Sequence, residues 1–473
     1  MSHFYLGIVA VFIFFRAKLF VKKDAKNMTI APVRLSSSHY LEIFVGAQVT
    51  GSGGTCNVIL DINNQLNLSD VTLSVGPFHV VKQSMYKKFY KTLFWLLKFE
   101  VVAVKKLSED KLRETDKVDF SSHVNSTLRR LLFGGEIRED ECGRYENLLL
   151  DDCKSIFCCC VDTVSETDFV FFTHGIYSLW GPVLEAARVS DTKLIINGSL
   201  PYYGAGFYLA TDAFQVSLPI DIGNRADQKS SAVSLLQRRL NLETTDQKTF
   251  NFTKSDPDKL DEIKRFYSNF RRTISIFPNC LWDGNIDERD TIFDGLVDCI
   301  NYTIKHAPLG IGICIRLHPA EATLWKSFEG LKNHIVSSEN VLIVNSDADL
   351  ISHDIANLSD ISIVYDGIMA IELSYTGNMV VVPSKSPYTN CPGIIVPTSK
   401  DDFWNAIENQ NQNVENIDAS RSAVSQWVSD TYLTTLLDFP GYVSDGAPIS
   451  GRILRVMFSM PSFLKFYKTL VQL

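Results

Sequence analysis

Three short segments in the second half of the chain carry side chains that can contact an anionic ligand or move a proton. Each segment follows an apolar run of strand length, and in open parallel sheets ligands bind outside the carboxyl ends of the strands. The segments and their candidate residues are 277–284 with Asn279 and Asp283, 316–321 with Arg316, His318 and Glu321, and 365–372 with Asp366, Gly367 and Glu372. The sequence therefore predicts one ligand site that is built from three strand ends.

Phosphate binding is the chemistry that these residue types predict. Arg316 and His318 could neutralise a diphosphate or phosphate leaving group, which is how a metal-free transferase can stabilise developing charge. The turn at Asp366 and Gly367 leads into a helix whose first N–H groups can bind phosphate. Glu372 falls about one and a half turns into that helix, within reach of a ribose hydroxyl. The structural alternatives are a simple turn at the His-Pro pair and an exposed helix acid at Glu372.

Strand and helix patterns alternate through most of the chain, which predicts βαβ units and parallel sheets. The predicted strands are 40–49, 99–104, 169–173 and 193–197, then 273–277, 312–317, 341–345, 361–365 and 379–382. The predicted helices are 85–97, 181–189, 290–307, 349–356 and 368–375. The fold class is therefore α/β and GT-B-like, with two Rossmann-like doubly wound domains facing a cleft. The predicted domains are 1–224 and 273–440, with a helical linker at 225–272 and a basic amphipathic tail at 441–473.

Composition and charge exclude several classes of protein. Hydrophobic residues make up 45% and charged residues 21% of 473, which excludes disordered, collagen-like and polytopic membrane proteins. The net charge of −8 gives no overall basic field, so nucleic acid is not an expected partner. The ten cysteines include no C-x-x-C pair, and Cys158, Cys159 and Cys160 are consecutive. We expect reduced thiols, no metal site and a cytoplasmic location.

Basic and apolar residues are concentrated in three places. The apolar run 4–15 is shorter than the roughly 20 residues that span a bilayer, so it is either a membrane-surface anchor or a buried first strand. Residues 86–106 and 452–473 are basic and aromatic, and both contain the hexapeptide Lys-Phe-Tyr-Lys-Thr-Leu, at 88–93 and 465–470. Such segments are typical of interfacial helices on anionic lipid, which would make the protein peripheral on the inner face of the cytoplasmic membrane. The alternative is two surface helices whose apolar faces join the core.

Four stretches of the sequence resemble bacterial surface-carbohydrate synthesis proteins, which include capsule and lipopolysaccharide transferases of the Kdo type. Three are the C-terminal stretches Phe-Pro-Asn-Cys-Leu-Trp-Asp at 277–283, Arg-Leu-His-Pro-Ala-Glu at 316–321, and 359–372 with Tyr-Asp-Gly-Ile-Met-Ala-Ile-Glu. The fourth is Thr-His-Gly-Ile-Tyr-Ser-Leu-Trp-Gly-Pro at 173–182, so the resemblance covers roughly residues 165–400. It implies a GT-B fold that binds a nucleotide-activated sugar with its second domain and a glycan or glycolipid acceptor with its first.

The resemblance also implies a metal-independent glycosyltransferase with no cofactor beyond the nucleotide sugar as co-substrate. If transfer inverts configuration, a general base must accept the proton of the acceptor hydroxyl. His174 is the candidate base, because it ends a first-domain strand in a loop with Gly175, and Asp162, Glu166 and Asp168 are nearby substitutes. The alternative for His174 is a histidine held by local hydrogen bonds.

The sequence leaves two alternative functions and contains two further motifs that could bind a ligand. One rival is a nucleotide-sugar epimerase; the other is a catalytically silent GT-B-like scaffold, since relatives often place Ser or Thr where Asp366 and Gly367 stand. Asp347-Ala-Asp349 has the D-x-D form of a Mn²⁺ site, but the helix that follows favours N-capping. Gly51-Ser-Gly-Gly54 is either a phosphate- or sugar-binding turn or a hairpin turn.

Overall fold

The computed structural model describes most of the chain. The described residues are 10–15, 17–18, 26–33, 40–61, 66, 83–108, 112, 115–133, 137–172, 175–198, 206–210, 225–243, 254–284, 292–323, 330–384, 386, 388–409, 417–433 and 436–437. His174 and the tail at 441–473 lie outside the described residues. The chain divides into a first unit, Met1–Leu131, Glu136–Ile222 and Thr435–Leu473, and a second unit, Leu132–Gly135 and Gly223–Thr434.

The first unit contains a seven-stranded sheet in the order β3-β2-β1-β4-β5-β6-β13. Its strands are β1 (Asn27–Val33), β2 (Thr55–Leu60), β3 (Glu100–Ala103), β4 (Phe169–Phe172), β5 (Lys193–Gly198), β6 (Gly206–Ala210) and β13 (Leu436–Leu437). Strands β1 to β5 pair in parallel, and β6 pairs antiparallel with both β5 and β13. Its helices are α1 (Tyr40–Gly51), α2 (Gln83–Leu96), α3 (Ser121–Phe133), α4 (Cys142–Ser165) and α5 (Gly181–Ser190).

The second unit contains a six-stranded parallel sheet in the order β9-β8-β7-β10-β11-β12. Its strands are β7 (Arg272–Phe277), β8 (Ile311–Arg316), β9 (Val341–Val344), β10 (Ile361–Val364), β11 (Val380–Val381) and β12 (Ile394–Ile395). Counted from the first strand of the unit, this is the 3-2-1-4-5-6 order of a Rossmann sheet. Its helices are α6 (Arg225–Leu240), α7 (Pro257–Tyr267), α8 (Leu296–His306), α9 (Ala320–Thr323), α10 (Ser352–Ala356), α11 (Met369–Thr376), α12 (Lys400–Asn409) and α13 (Ile417–Val428).

The second sheet is covered on both faces, as a parallel sheet requires. Apolar residues of α8 and α12 pack with Ile274, Ile276 and Ile313 in one buried cluster. Apolar residues of α7, α10 and α11 pack with Phe277 and Cys314 in a second cluster. Because side chains alternate along a strand, neighbouring residues of β7 enter different clusters. The rigid layer that results carries the three predicted segments at its strand ends.

The α/β fold class with two Rossmann-like doubly wound sheets is confirmed. In both sheets the first and fourth strands of the unit are neighbours, so the order in which strands are added to the sheet reverses at this point. The predicted linker 225–272 contains α6 and α7, which are counted with the second unit. None of the ten cysteines, all of which lie in the described part of the chain, forms a disulfide, and burial raises the pKa of Cys314 to about 12.

The strand predicted at 40–49 is wrong, because these residues belong to helix α1. Residues 43–50 are all buried, so the helix lacks the polar face that would have given a helical period. The glycines that follow form the end of this helix rather than a hairpin, since the N–H of Gly54 donates to Val49 O at 3.1 Å. A Cβ on Gly54 would lie 2.1 Å from Lys26 O, so close packing on the backbone explains this glycine.

The apolar run 4–15 is also not a strand where the structure describes it. Residues 10–15 and 17–18 are helical. Ala10, Ile13, Phe14 and Ala17 are buried, while Phe12 and Phe15 are exposed. Among the described residues, no helix has the length and apolar character needed to cross a membrane.

Candidate functional site

The strand ends of β7 and β10 meet where the second sheet changes direction, which is where open α/β sheets bind ligands. The amide of Asn279, just after β7, joins the two ends. Its Nδ2 donates to Asp366 O, and the N–H of Asp366 donates to its Oδ1 at 3.0 Å. Since both ends of the amide are used, Asn279 fixes the loop after β10.

The loop after β10 presents unused amide donors. The N–H groups of Gly367, Ile368 and Met369 donate to no acceptor among the residues that the structure describes. They precede or begin α11, so the positive end of the helix dipole lies at the same place. A Cβ on Gly367 would lie 3.5 Å from Val364 Cγ1, an ordinary contact, so the fold itself does not require glycine there. The missing side chain keeps the approach to these amides open.

His318 lies at the end of β8 as a neutral imidazole. Its Nδ1 accepts a hydrogen bond from the N–H of Ala320 at 3.1 Å, which leaves the ring proton on Nε2. Burial lowers the pKa of His318, and the charge of Arg316 lowers it further against the opposing effect of Asp283. At neutral pH the ring can therefore donate through Nε2 without carrying a full charge.

Two carboxyl groups lie near this strand end: the charge of Asp283 acts on the imidazole, and it acts on Glu321 as well. Burial raises the pKa of Glu321, and the charge of Asp283 raises it further, although the N–H of Leu331 donates to Glu321 Oε1 at 3.3 Å. Asp283 Oδ2 accepts from the N–H of Cys280 at 3.2 Å. Two neighbouring carboxyl groups are typical of acid–base sites. Within the described residues, no group of three or more His, Cys, Asp or Glu could hold a metal ion.

Arg316 is placed below the surface of the site. It is buried, and its guanidinium donates to the carbonyl oxygens of Asn345, Ala348 and Leu350, the last two at 3.0 and 3.3 Å. Burial lowers the pKa of Arg316 to about 10, against the opposing charges of Asp347 and Asp349. Arg316 therefore fixes the loop that follows β9.

The N-capping interpretation of Asp347-Ala-Asp349 is wrong. Helix α10 begins at Ser352, its N-cap residue is Ile351, and no side chain caps it. The two acids instead lie in the loop that Arg316 holds, where their charges oppose the effect of burial on the guanidinium.

Glu372 is 2% exposed and forms an internal ion-pair network. Arg239 Nε of α6 donates to its Oε1, and His353 Nε2 of α10 lies 2.9 Å from its Oε2. Burial alone would raise the pKa of Glu372, but Arg239 and His353 outweigh it and lower the pKa to about 2. The structural alternative of an exposed helix acid is wrong, because Glu372 ties α11 to two other helices.

The loop after β4 in the first unit is held by one face of α3. His123, Thr127 and Arg130 are spaced so that they share this face. The contacts are His123 Nδ1 to Ile176 O at 3.1 Å, His123 Nε2 to Glu185 Oε1 at 3.2 Å, Thr127 Oγ1 with Ser178 Oγ at 2.9 Å, and Arg130 Nη1 to the Tyr177 hydroxyl at 2.8 Å. The chain directly after the candidate base is thus anchored.

The three acids named as substitutes for His174 lie on the amino-terminal side of β4. Asp168 immediately precedes β4, and its Oδ2 accepts from the N–H of Asn27 at 2.8 Å. Asp162 and Glu166 lie in or just after α4, on the same amino-terminal side of the strand. They do not share the carboxyl end of β4 with the loop that follows it.

The sequence did not reveal four residues that hold the loops and helices of these sites: Arg239, His353, His123 and Thr127. Glu372 and Arg239 are 133 residues apart, and no local pattern connects them. The polar spacing of His123, Thr127 and Arg130 along one helix face is the one signal that could have been read.

No family model and no curated protein matches this sequence. Among solved structures, the chain is similar to the β-Kdo 2,4-transferase KpsC of Thermosulfurimonas dismutans, with 12% identity, a TM-score of 0.31, and coverage of 54% of this chain and 79% of that one. It is also similar to the UDP-GlcNAc 2-epimerase of Neisseria meningitidis bound to UDP-GlcNAc, with 13% identity, a TM-score of 0.25, and coverage of 86% and 99%. A putative UDP-N-acetylglucosamine 2-epimerase of Listeria monocytogenes gives 10% identity, a TM-score of 0.28, and coverage of 93% and 97%. The fold assignment therefore rests on sheet topology.

Proposed function

We propose that this protein is a glycosyltransferase that moves a sugar from a nucleotide-activated donor to a surface glycan or glycolipid. The supporting observation is the strand-end site of the second unit, where Asn279 holds Asp366 and the amides of residues 367–369 donate to no acceptor in the described part of the chain. Three amides at a helix N-terminus suit a diphosphate, because they donate hydrogen bonds while the dipole favours negative charge.

His318 supplies a further donor in this proposal. Its Nδ1 accepts from the N–H of Ala320, so the ring proton is on Nε2, the atom that would turn to the phosphate that leaves with the nucleotide. Fixed donors aimed at developing charge stabilise the transition state without a bound metal. Asp283 and Glu321 belong to the same cluster, and Arg316 and Glu372 support its loops from inside the fold.

The first unit is the proposed acceptor-binding part of the enzyme. His174 remains the proposed general base, although it lies outside the described residues. The anchored residues 176–178 would keep the chain beside it in a defined position. Ordered positioning of this kind contributes to catalysis by reducing the entropy lost on reaching the transition state.

A nucleotide-sugar epimerase is the second candidate, and the Glu321 carboxyl favours it. Burial raises the pKa of Glu321 and the charge of the neighbouring Asp283 raises it further, so two carboxyl groups lie together as in an acid–base pair. Epimerisation at a sugar carbon needs such a pair, because it removes a proton from one face of the carbon and returns one to the other.

A panel of nucleotide sugars tests the proposed function. We expect one class among CMP-, UDP- and GDP-sugars to stabilise the full chain in thermal unfolding, by about 2.7 kcal/mol at a concentration 100 times Kd. The matching nucleoside, which lacks the phosphates, is the control and should give no shift. Failure of every nucleotide to stabilise the chain would contradict the proposal.

The product then separates the two candidates. A transferase releases the nucleotide and leaves the sugar on an acceptor or on water. An epimerase keeps the nucleotide sugar intact and incorporates deuterium from D₂O at the carbon that it inverts.

A further inference from the structure

The surface formed by the end of α2 and by β3 combines exposed apolar residues with lysines. Trp95 is 75% exposed and Leu96 is 39% exposed, and Val101 of β3 is exposed as well. Lys91 and Lys98, at the end of α2, are exposed, as are Lys105 and Lys106 just after β3. We call these seven residues the α2–β3 patch.

The patch is not a core face that has been left uncovered, because α2 already has a buried face. Tyr90, Phe94 and Phe99 stack on one another with ring centroids 6.0 and 5.6 Å apart, and all three are buried. These rings hold α2 in the first unit. Trp95 points away from them, one helical turn after Lys91.

The charge of the patch is opposite to that of the protein. The chain has a net charge of −8, yet residues 86–106 contain six lysines and a single acid, Glu100. A large exposed tryptophan with lysines around it matches the boundary of an anionic bilayer, where the ring meets the acyl region and the lysines meet phosphates.

Two further exposed aromatic rings lie in the same unit. Phe12 and Phe15 are exposed on the helix that contains residues 10–15, and Lys18 beyond them is exposed too. This helix contacts α1 at Gly51, and the Phe99 ring contacts α1 at Gly46. Two segments with exposed aromatic residues and lysines therefore pack on the same helix.

We propose that the α2–β3 patch docks the protein on an anionic lipid bilayer, with Trp95 and Leu96 inserted at the headgroup boundary. The lysines of the patch contact the lipid phosphates. The proposal concerns the location of the protein and does not depend on which reaction it performs.

Co-sedimentation of the full chain with vesicles tests the proposal. We expect binding to phosphatidylcholine vesicles that contain phosphatidylglycerol, weak or no binding to phosphatidylcholine alone, and release at high salt because salt screens the attraction. Lys91→Glu with Lys98→Glu should weaken binding by at least about 25-fold, at about fivefold for each lysine lost. Trp95→Ser should weaken it by about tenfold, since the exposed ring no longer enters the interface.

The matched control is the pair Lys305→Glu and Leu309→Ser in the second unit, where Leu309 is 97% exposed. It makes the same kinds of change at another exposed site and should leave vesicle binding unchanged. Circular dichroism confirms that each variant remains folded. The proposal is overturned if the wild type does not co-sediment with anionic vesicles or if the patch variants bind them as tightly as the control. It is also overturned if the patch instead mediates self-association.

Discussion

Replacing Arg239 by methionine is expected to lower the free energy of unfolding of the second unit by about 3–5 kcal/mol. Arg239 and Glu372 are both buried, and Arg239 Nε donates to Glu372 Oε1. Removing one partner leaves the other charge without compensation in a medium of low dielectric constant. For a unit of this size the loss lowers the midpoint of thermal unfolding by roughly 10 °C.

Chemical denaturation of a small set of variants checks this expectation. Arg238→Met, one position earlier on α6 and half-buried, is the matched control and should cost less than about 1 kcal/mol. The double variant Arg239→Met with Glu372→Leu should recover much of the loss, because two apolar side chains replace a buried pair. A cost for Arg239→Met no larger than that of the control would contradict the buried ion pair.

The same network predicts how stability depends on pH. The pKa of Glu372 is about 2 in the folded protein, below its ordinary value of 4.5. Its stabilisation is therefore present above pH 4.5 and is lost as the pH falls from 4.5 through 2. With the group almost fully buried, this amounts to about 3 kcal/mol. The Glu372→Gln variant should have a lower free energy of unfolding above pH 4.5 and should lose less of it as the pH falls to 2. If the free energies of unfolding of the variant and the wild type fall in parallel with pH, Glu372 is not the group responsible.

Gly367→Asp is expected to weaken nucleotide-sugar binding by at least about 100-fold. The new carboxylate would occupy the approach to the amides of residues 367–369 and repel the diphosphate. The fold should tolerate the change, since a Cβ at this position lies 3.5 Å from Val364 Cγ1. The loss should therefore appear in calorimetric titration without a matching loss of stability.

Gly143→Asp is the control for this substitution. It places the same carboxylate in the first turn of α4 in the first unit, where a Cβ meets nothing within 4 Å. It should leave the affinity unchanged. Equal affinities for Gly367→Asp and Gly143→Asp would place the phosphates elsewhere.

The strands of the second sheet could be predicted from sequence because each is a short apolar run bounded by turn residues. β7, β8 and β10 all lie within one residue of their predicted bounds. Helix α1 was missed because residues 43–50 are buried on every side, so no polar face reveals its period. The burial of residues 43–50 depends on the other elements that pack around α1, so the local sequence does not predict it.

The positions of the charged site residues could be predicted, but their partners could not. Asn279 was placed correctly after β7, yet its contact with Asp366 exists only because β10 pairs beside β7. Arg316 and Glu372 look like exposed ligand-binding charges in sequence. In the fold, Arg316 donates to loop carbonyl oxygens, and Glu372 pairs with Arg239 and His353. Such pairs arise from long-range packing, which spacing along the chain does not encode.

Hydrogen–deuterium exchange across residues 365–376 tests the central claim most directly. The experiment compares the chain alone with the chain saturated by the nucleotide sugar that stabilises it. If the amides of Gly367, Ile368 and Met369 donate to the diphosphate, their exchange should slow markedly when the ligand binds, while exchange in Gly367→Asp should not change. A nucleotide sugar that binds tightly while these three amides exchange at the unliganded rate would contradict the proposed site.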